Sequence, residues 1–291
     1  MSEDILKQLG LDRPSRQGEA AANKPSGKFI DKTPAIKNPI VEIQEASFAY
    51  GRNVILESVA MKIHDSEFWC FIGPNGEGKT TLIKALLGAL RPKRGLVRLR
   101  ADFARRTRIG FVPQKCDLNP SVPTTIQSFV TQGTAGLAVD QSKLKRRVQK
   151  SMDVMGIQRI RERSIWKVSG GQRQRAMVAR ALVRDPLLMI VDEPTAGLDL
   201  AASSGLLKTI TELNQQHRIT VIFVTHDLQL AGRYATHLAV FKNRRVKCGP
   251  VGNVLTGENL EMAFGVPTEV TAEASGGYTV RANVEHPELV S

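Results

Sequence analysis

The sequence predicts an α/β fold built on a mostly parallel sheet, and three observations carry that expectation. Short apolar runs alternate with stretches whose apolar residues recur at helical spacing. Runs such as "FWCFI", "LLMIVD" and "TVIFVT" are apolar throughout rather than alternating, as strands buried on both faces are. A glycine-rich stretch, "FIGPNGEGKTTL", lies where one such run gives way to a helical pattern, the strand-to-helix passage of a βα unit.

Taken in chain order, residues 1–38 are polar, Pro- and Gly-punctuated and poor in apolar periodicity, which predicts a disordered leader. From Pro39 to Ile72 come short β-rich runs separated by Gly51-Arg52-Asn53 and Asp65-Ser66. After Gly78, the residues Leu82, Ile83, Leu86, Leu87 and Leu90 predict a helix, and "GLVRLR" a further strand. Thr124 is the expected N-cap of the next helix, "TIQSFV". Leu144, Val148, Met152 and Met155 line one face of another, which Gly156 can end. A helix from Gln172 to Arg184 stops at Asp185-Pro186. Strand "LLMIVD", helix "LLKTITEL", strand "TVIFVT" and the run "HLAVFK" follow, and the tail from about Gly249 is poorly constrained by its sequence.

Composition narrows the class. With 42% hydrophobic and 24% charged residues the 291-residue chain has the make-up of a soluble globular protein. No apolar run approaches the ~18 uncharged residues of a membrane span. The N-terminus carries Glu3 and Asp4 and has no continuous apolar core, so it lacks the form of a secretory signal, and a cytosolic protein is expected. Cys70, Cys116 and Cys248 have neither CxxC nor metal-ligand spacing and are expected to be reduced small hydrophobes. The formal net charge of +13 favours anionic partners. It concentrates in two blocks, with nine basic residues against one acid between Arg91 and Lys115, and eleven against two between Lys143 and Arg175.

The glycine-rich stretch fits G-x-x-x-x-G-K-[ST] in full: Gly73, Pro74, Asn75, Gly76, Glu77, Gly78, Lys79 and Thr80, with Thr81 beside them. Glycines let successive N–H groups turn inward as an anion nest, and the helix N-terminus adds its positive dipole end. Lys79 then reaches the β- and γ-phosphates and Thr80 can ligate Mg²⁺, so the loop is built for a nucleoside triphosphate such as ATP. The strand "LLMIVDEP" delivers Asp192 to its C-terminal end as a metal ligand, with Glu193 next to it as general base. In "VSGGQRQR", Ser169, Gly170, Gly171 and Gln172 open a second helix with exposed N–H groups and a hydroxyl. One site needs a single such cradle, so the second points to a nucleotide held by another subunit.

Over roughly residues 40–248 these motifs, together and in this order, resemble the ATP-binding subunits of ABC transporters. The resemblance implies a P-loop NTPase fold, with a RecA-like mostly parallel sheet, an antiparallel β subdomain and a small α-helical subdomain at about 116–170. It implies a head-to-tail homodimer in which Ser169 and Gly171 of one subunit close over the ATP held by Lys79 of the other. Position by position, Tyr50 in "FAYG" resembles the aromatic that stacks on adenine, and Gln114 in "FVPQ" the loop glutamine that reaches Mg²⁺ and the attacking water. Asp199 in "AGLD" resembles the aspartate that signals across the dimer, and His226 in "VTHD" the histidine that contacts the γ-phosphate. Val168 replaces the usual leucine before the signature serine, and Glu77 stands where a small residue is common. A carboxylate there repels phosphates, so Glu77 is expected to point outward.

Two classes of machine share such an ATPase: transporters, and factors that act on DNA or the ribosome. Gln114 and Ser169 are 55 positions apart, which leaves no room for a long coiled-coil or zinc-module insertion, and there is one cassette rather than two. Transport is therefore expected, with no nucleic acid as partner. "RIGFVPQKCDLNPSVPTTIQSFV" and "HLAVFKNRRVKCGPVGNVLTGENLEMAFG" are similar to zinc-import ATP-binding subunits and their manganese and iron relatives. His64, His217, His226, His237 and His286 form no cluster, so this chain is expected to hold Mg²⁺ alone and other subunits to choose the cargo. The implied partners are multi-span permease subunits and an extracytoplasmic substrate-binding protein, with this chain peripheral at the cytoplasmic face of the inner membrane. Lys115 to Val122 with the following helix is the expected docking surface. The block from Lys143 to Arg175 is expected near the anionic leaflet or the membrane partner.

Overall fold

The computed structural model describes residues 38–103, 106–116, 119–274 and 276–282. The expected leader, apart from Asn38, and His286 lie outside the described residues. In chain order the elements are β1 (Val41–Tyr50), β2 (Asn53–Ile63), β3 (Phe68–Ile72), α1 (Lys79–Leu86), β4 (Arg94–Leu99), β5 (Ile109–Val112), α2 (Ile126–Thr131), α3 (Gln141–Val154), α4 (Gly170–Leu182), β6 (Leu188–Asp192), α5 (Leu200–His217), β7 (Thr220–Val224), α6 (Leu228–Tyr234), β8 (His237–Lys242), β9 (Arg245–Pro250), α7 (Val251–Val254), α8 (Gly257–Phe264), β10 (Thr268–Ala272) and β11 (Tyr278–Ala282). Two compact units share them: a split unit, formed by the described chain up to Arg106 and from Thr220 onward, and an insert unit, Thr107–Ile219.

In the split unit, β1 pairs antiparallel with both β2 and β4, with Val41 opposite Ile63 on one side and Leu99 on the other. Val41, Ile43, Ala46 and Phe48 are buried, so the strict alternation of β1 slips by one residue. Glu45 takes up the slip at a bulge, with φ 42°, which returns Ala46 to the inner face. A second sheet has β3 flanked in parallel by β7 and β8, with Cys70 in register with Phe223 and Leu238, and β9 antiparallel on β8. Every residue of β3 and β7 is buried, which is why these runs read as continuously apolar. Phe71 packs on Phe241 at 5.3 Å between ring centroids, and Trp69 stacks on the His237 ring at 4.8 Å. Cys70 is buried, and Cys248 donates to the Ala60 carbonyl at 3.3 Å; burial pushes the Cys70 thiol up and the Cys248 thiol up to about 11. Both therefore behave as small hydrophobes rather than nucleophiles.

The segment after Gly249 is built, although its sequence offers short runs and little periodicity. The hairpin β10–β11 is seated on α6 by the Gln229 side chain, whose amide donates to the Val280 carbonyl and whose Oε1 accepts from the Val280 N–H at 3.3 Å. Gly232 permits that approach, since a Cβ there would lie 2.4 Å from the Tyr278 carbonyl oxygen. Gly232→Val should therefore cost about 1–3 kcal/mol of stability by forcing the hairpin off the helix. Thermal unfolding at matched concentration checks this, and a variant melting with the parent would mean the hairpin is not seated there.

In the insert unit, β5 and β6 pair in parallel, with Gly110 opposite Met189. Val148, Met152 and Met155 are buried along α3, and Gly156 (φ 67°) follows its end. The cap of α2 falls one residue later than expected. The Thr125 hydroxyl accepts from the Ser128 N–H, whereas the Thr124 hydroxyl donates to the Val122 carbonyl and its own carbonyl accepts from Ile165. Helix α4 stops at Leu182, two residues short of Arg184. Asp185 turns to φ 51° and is held by Arg108, which donates to its carbonyl and carboxylate, both at 3.1 Å. Several charges of the basic block also prove to be structural. Arg173 donates to the carbonyls of Ile165 and Trp166, and Arg175 to that of Met155. Lys143, Lys145, Arg146, Arg161, Arg163 and Lys167 remain exposed.

Candidate functional site

Strand β3 runs into the loop Gly73–Gly78, and α1 starts at its far end. Gly73, at φ 140°, packs so tightly that a Cβ there would meet the Phe241 carbonyl oxygen at 2.4 Å, so only glycine fits. Lys79, the first residue of α1, is 6% exposed, and its ammonium donates to the carbonyls of Gly73 (2.6 Å) and Pro74 (2.8 Å). Among the described helices of six residues or more, α1 is the one whose start no side chain caps. Its first turn thus begins at a left-handed Gly78 with no side-chain cap, the kind of helix start that can receive an anion. Asn75, Gly76 and Thr80 are exposed, Pro74 is half-buried, and Thr81 turns into the core.

Other expected residues of the split unit stand at the ends of strands. Tyr50 closes β1 and is 46% exposed, with the Lys84 ammonium of α1 5.6 Å from its ring centroid. A flat aromatic with an open side is suited to a planar base. His226 is exposed after β7, and Asp227 caps α6 behind it by accepting from the Leu230 N–H at 3.0 Å. Glu77 departs from expectation. Its side chain is only 21% exposed and its carboxylate lies 3.8 Å from the Lys242 ammonium, so a cation, not orientation toward water, answers its charge. No spacing in the sequence links these two residues, and nothing in the motif points to Lys242.

The insert unit brings together two expected residues 79 positions apart. Gln114, exposed just past the end of β5, donates through Nε2 to Glu193 Oε2 at 2.6 Å. Asp192 ends β6, and Glu193 adopts φ 45° immediately before Pro194. That conformation is doubly disfavoured, since left-handed backbone is uncommon for a side chain other than glycine and a residue preceding proline prefers extended geometry. Strain of this kind collects at functional sites. Within this unit Gln114 and Asp192 offer amide-carbonyl and carboxylate oxygens, and the Gln114 bond uses its nitrogen, leaving Oε1 for a cation. An all-oxygen donor set suits a small hard ion such as Mg²⁺.

Ser169 and Gln172 form a capping box at the start of α4. Each side chain accepts from the other's N–H at 3.2 Å, and Ser169 and Gly170 are exposed. A Cβ on Gly171 would stand 3.0 Å from that of Ala202, so the small residue also admits the start of α5. Asp199 caps α5, accepting from the Ala202 N–H at 2.7 Å. The serine and aspartate thus have structural duties at the same exposed turns where the sequence places their recognition roles.

A family model described as "ABC transporter" matches residues 56–196. The chain is 34% identical to the zinc uptake system ATP-binding protein ZurA of Listeria innocua, over 71% of this chain and 84% of that one. It is 31% identical to the zinc import ATP-binding protein ZnuC of Hydrogenovibrio crunogenus (76% and 85%), and 33% identical to the manganese transport system ATP-binding protein MntB of Bacillus subtilis (77% and 92%). Among solved structures it is similar to an ABC transporter in an inward-facing conformation, with TM-score 0.76 and 25% identity over 87% of this chain and 100% of that one. The structure of cbiO1 from Clostridium perfringens, part of the transporter complex cbiONQ, matches with TM-score 0.67 and 27% identity over 79% and 97%.

Proposed function

This chain belongs to the ATP-binding subunits of ABC transporters, and from that premise we propose that it hydrolyses ATP as a head-to-tail homodimer to drive uptake of a divalent metal, zinc first and manganese or iron next. It is an ATPase coupled to transport, its partners are membrane permease subunits, and no described helix is long and apolar enough to cross a membrane. The names of its relatives support the cargo, and the permease with an extracytoplasmic binding protein would select it. The chain would sit peripherally at the cytoplasmic face of the membrane. The exposed lysines and arginines of the insert unit favour that anionic neighbourhood.

The hydrolytic role rests on the 2.6 Å bond between Gln114 and Glu193. It holds the carboxylate in one orientation, as a base that must align water for in-line attack requires. Lys79 and the first-turn N–H groups of α1 bind the phosphates, and Tyr50 stacks on the base. His226 contacts the γ-phosphate, and Ser169 and Gly171 of the second copy close over the nucleotide. Mg²⁺, held through Thr80, Gln114 and Asp192, would neutralise charge on the phosphates. Closure on ATP and release after hydrolysis supply the motion the permease uses, with Asp199 relaying it across the dimer.

Affinity capture of the full chain from detergent-solubilised membranes should recover a multi-span partner, and deletion of this chain should abolish high-affinity Zn²⁺ uptake. Recovery of only DNA or ribosomes would favour the other class of ATPase. Intact Zn²⁺ uptake with loss of Mn²⁺ or Fe²⁺ uptake would move the cargo to that metal.

A further inference from the structure

A carboxylate inside a loop that receives a polyanion is an electrostatic conflict, because Glu77 stands between Gly76 and Gly78, within the phosphate-binding turn. Its carboxylate lies 3.8 Å from the Lys242 ammonium, and both side chains are partly withdrawn from water, at 21% and 31% exposed. Lys242 is not an incidental surface lysine. It ends β8, the strand paired with β3, with Ile72 opposite Val240. A Cβ on Gly73 would stand 2.4 Å from the carbonyl of Phe241, one residue earlier, so this strand end packs closely beside the loop. Beyond it, Asn243 (φ 49°) and Arg244 (φ 64°) form the two-residue turn of the β8–β9 hairpin, which fixes where the strand stops.

We propose that Lys242 is an affinity-determining residue for the nucleotide, acting through Glu77. By holding that carboxylate it cancels a negative charge that would otherwise repel the incoming phosphates. The close packing of Phe241 against Gly73 sets the strand end that carries the lysine beside the loop. Glu77 need not touch the nucleotide for this. The inference rests on the nucleotide-binding role of the loop and adds to it a position outside that loop.

The test is equilibrium binding of ATP with Mg²⁺ to the full chain at low ionic strength, together with steady-state hydrolysis. Lys242→Ala should weaken ATP binding roughly fivefold to twentyfold. KM should rise while kcat at saturating ATP changes little, and the deficit should shrink in high salt because it is Coulombic. Lys242→Arg should stay near the parent, and adding Glu77→Ala to Lys242→Ala should recover most of the lost affinity. If Lys242→Ala fails to fold, Lys242→Met, which keeps the stem, takes its place. Parent-like ATP affinity in the charge-removed variant would overturn the proposal, as would a double variant no better than the single one. Failure of the parent itself to bind ATP would instead overturn the nucleotide-binding role of the loop.

Discussion

Glu193→Gln should slow ATP hydrolysis by about 10²- to 10⁴-fold, the span that a positioned general base contributes, while ATP binding survives. The substitution is nearly isosteric, and the glutamine keeps an oxygen that can accept the 2.6 Å bond from Gln114, so the orientation of the side chain should persist. What is lost is the capacity to take a proton from water. Because release of the sandwiched nucleotide awaits hydrolysis, the variant should also accumulate as an ATP-bound dimer. Single-turnover phosphate release and size-exclusion chromatography with and without ATP measure the two effects. Hydrolysis at the parent rate would remove Glu193 from the role of base. Gln114→Ala gives a graded comparison, since it leaves the carboxylate but frees its orientation, and should fall between the parent and Glu193→Gln.

The parts of this molecule that the sequence exposes are those where a single residue type is compulsory. Gly73 is forced by a carbonyl 2.4 Å from where a Cβ would stand, and strands β3 and β7 read as continuous apolar runs because they are buried throughout. Helix ends are legible only to within a few residues, because competing side-chain caps decide them. Thr125 rather than Thr124 caps α2, and α5, capped by Asp199, starts well before the apolar periodicity begins. The elements after Gly249 are hidden for another reason. Their stability comes from long-range seating, as in the bonds between Gln229 and Val280, and not from local pattern. The same holds for Glu77, whose charge is answered by a residue 165 positions away, and for Arg173 and Arg175, which the sequence presents as surface charge but which bind carbonyls.

Lys79→Ala should weaken ATP binding by about 10²-fold or more, the equivalent of one or two charge-assisted hydrogen bonds of roughly 1.5–3 kcal/mol each. Lys79 is 6% exposed as a residue and its ammonium is already held against the loop by its bonds to the Gly73 and Pro74 carbonyls, so much of its desolvation is met on folding, not on binding. A phosphate oxygen entering the turn therefore gains the cation at low cost, which is the advantage of preorganisation. Alanine removes the charge and leaves the two carbonyls facing the anion, so attraction is replaced by repulsion. Lys79→Arg should not restore binding, because a planar guanidinium is too broad for a turn closed against Phe241. Equilibrium binding of ATP checks both variants, with matching melting curves showing that the fold is kept. Undiminished affinity in Lys79→Ala would mean that the α1 amides alone hold the phosphates and that the lysine serves only to brace the loop.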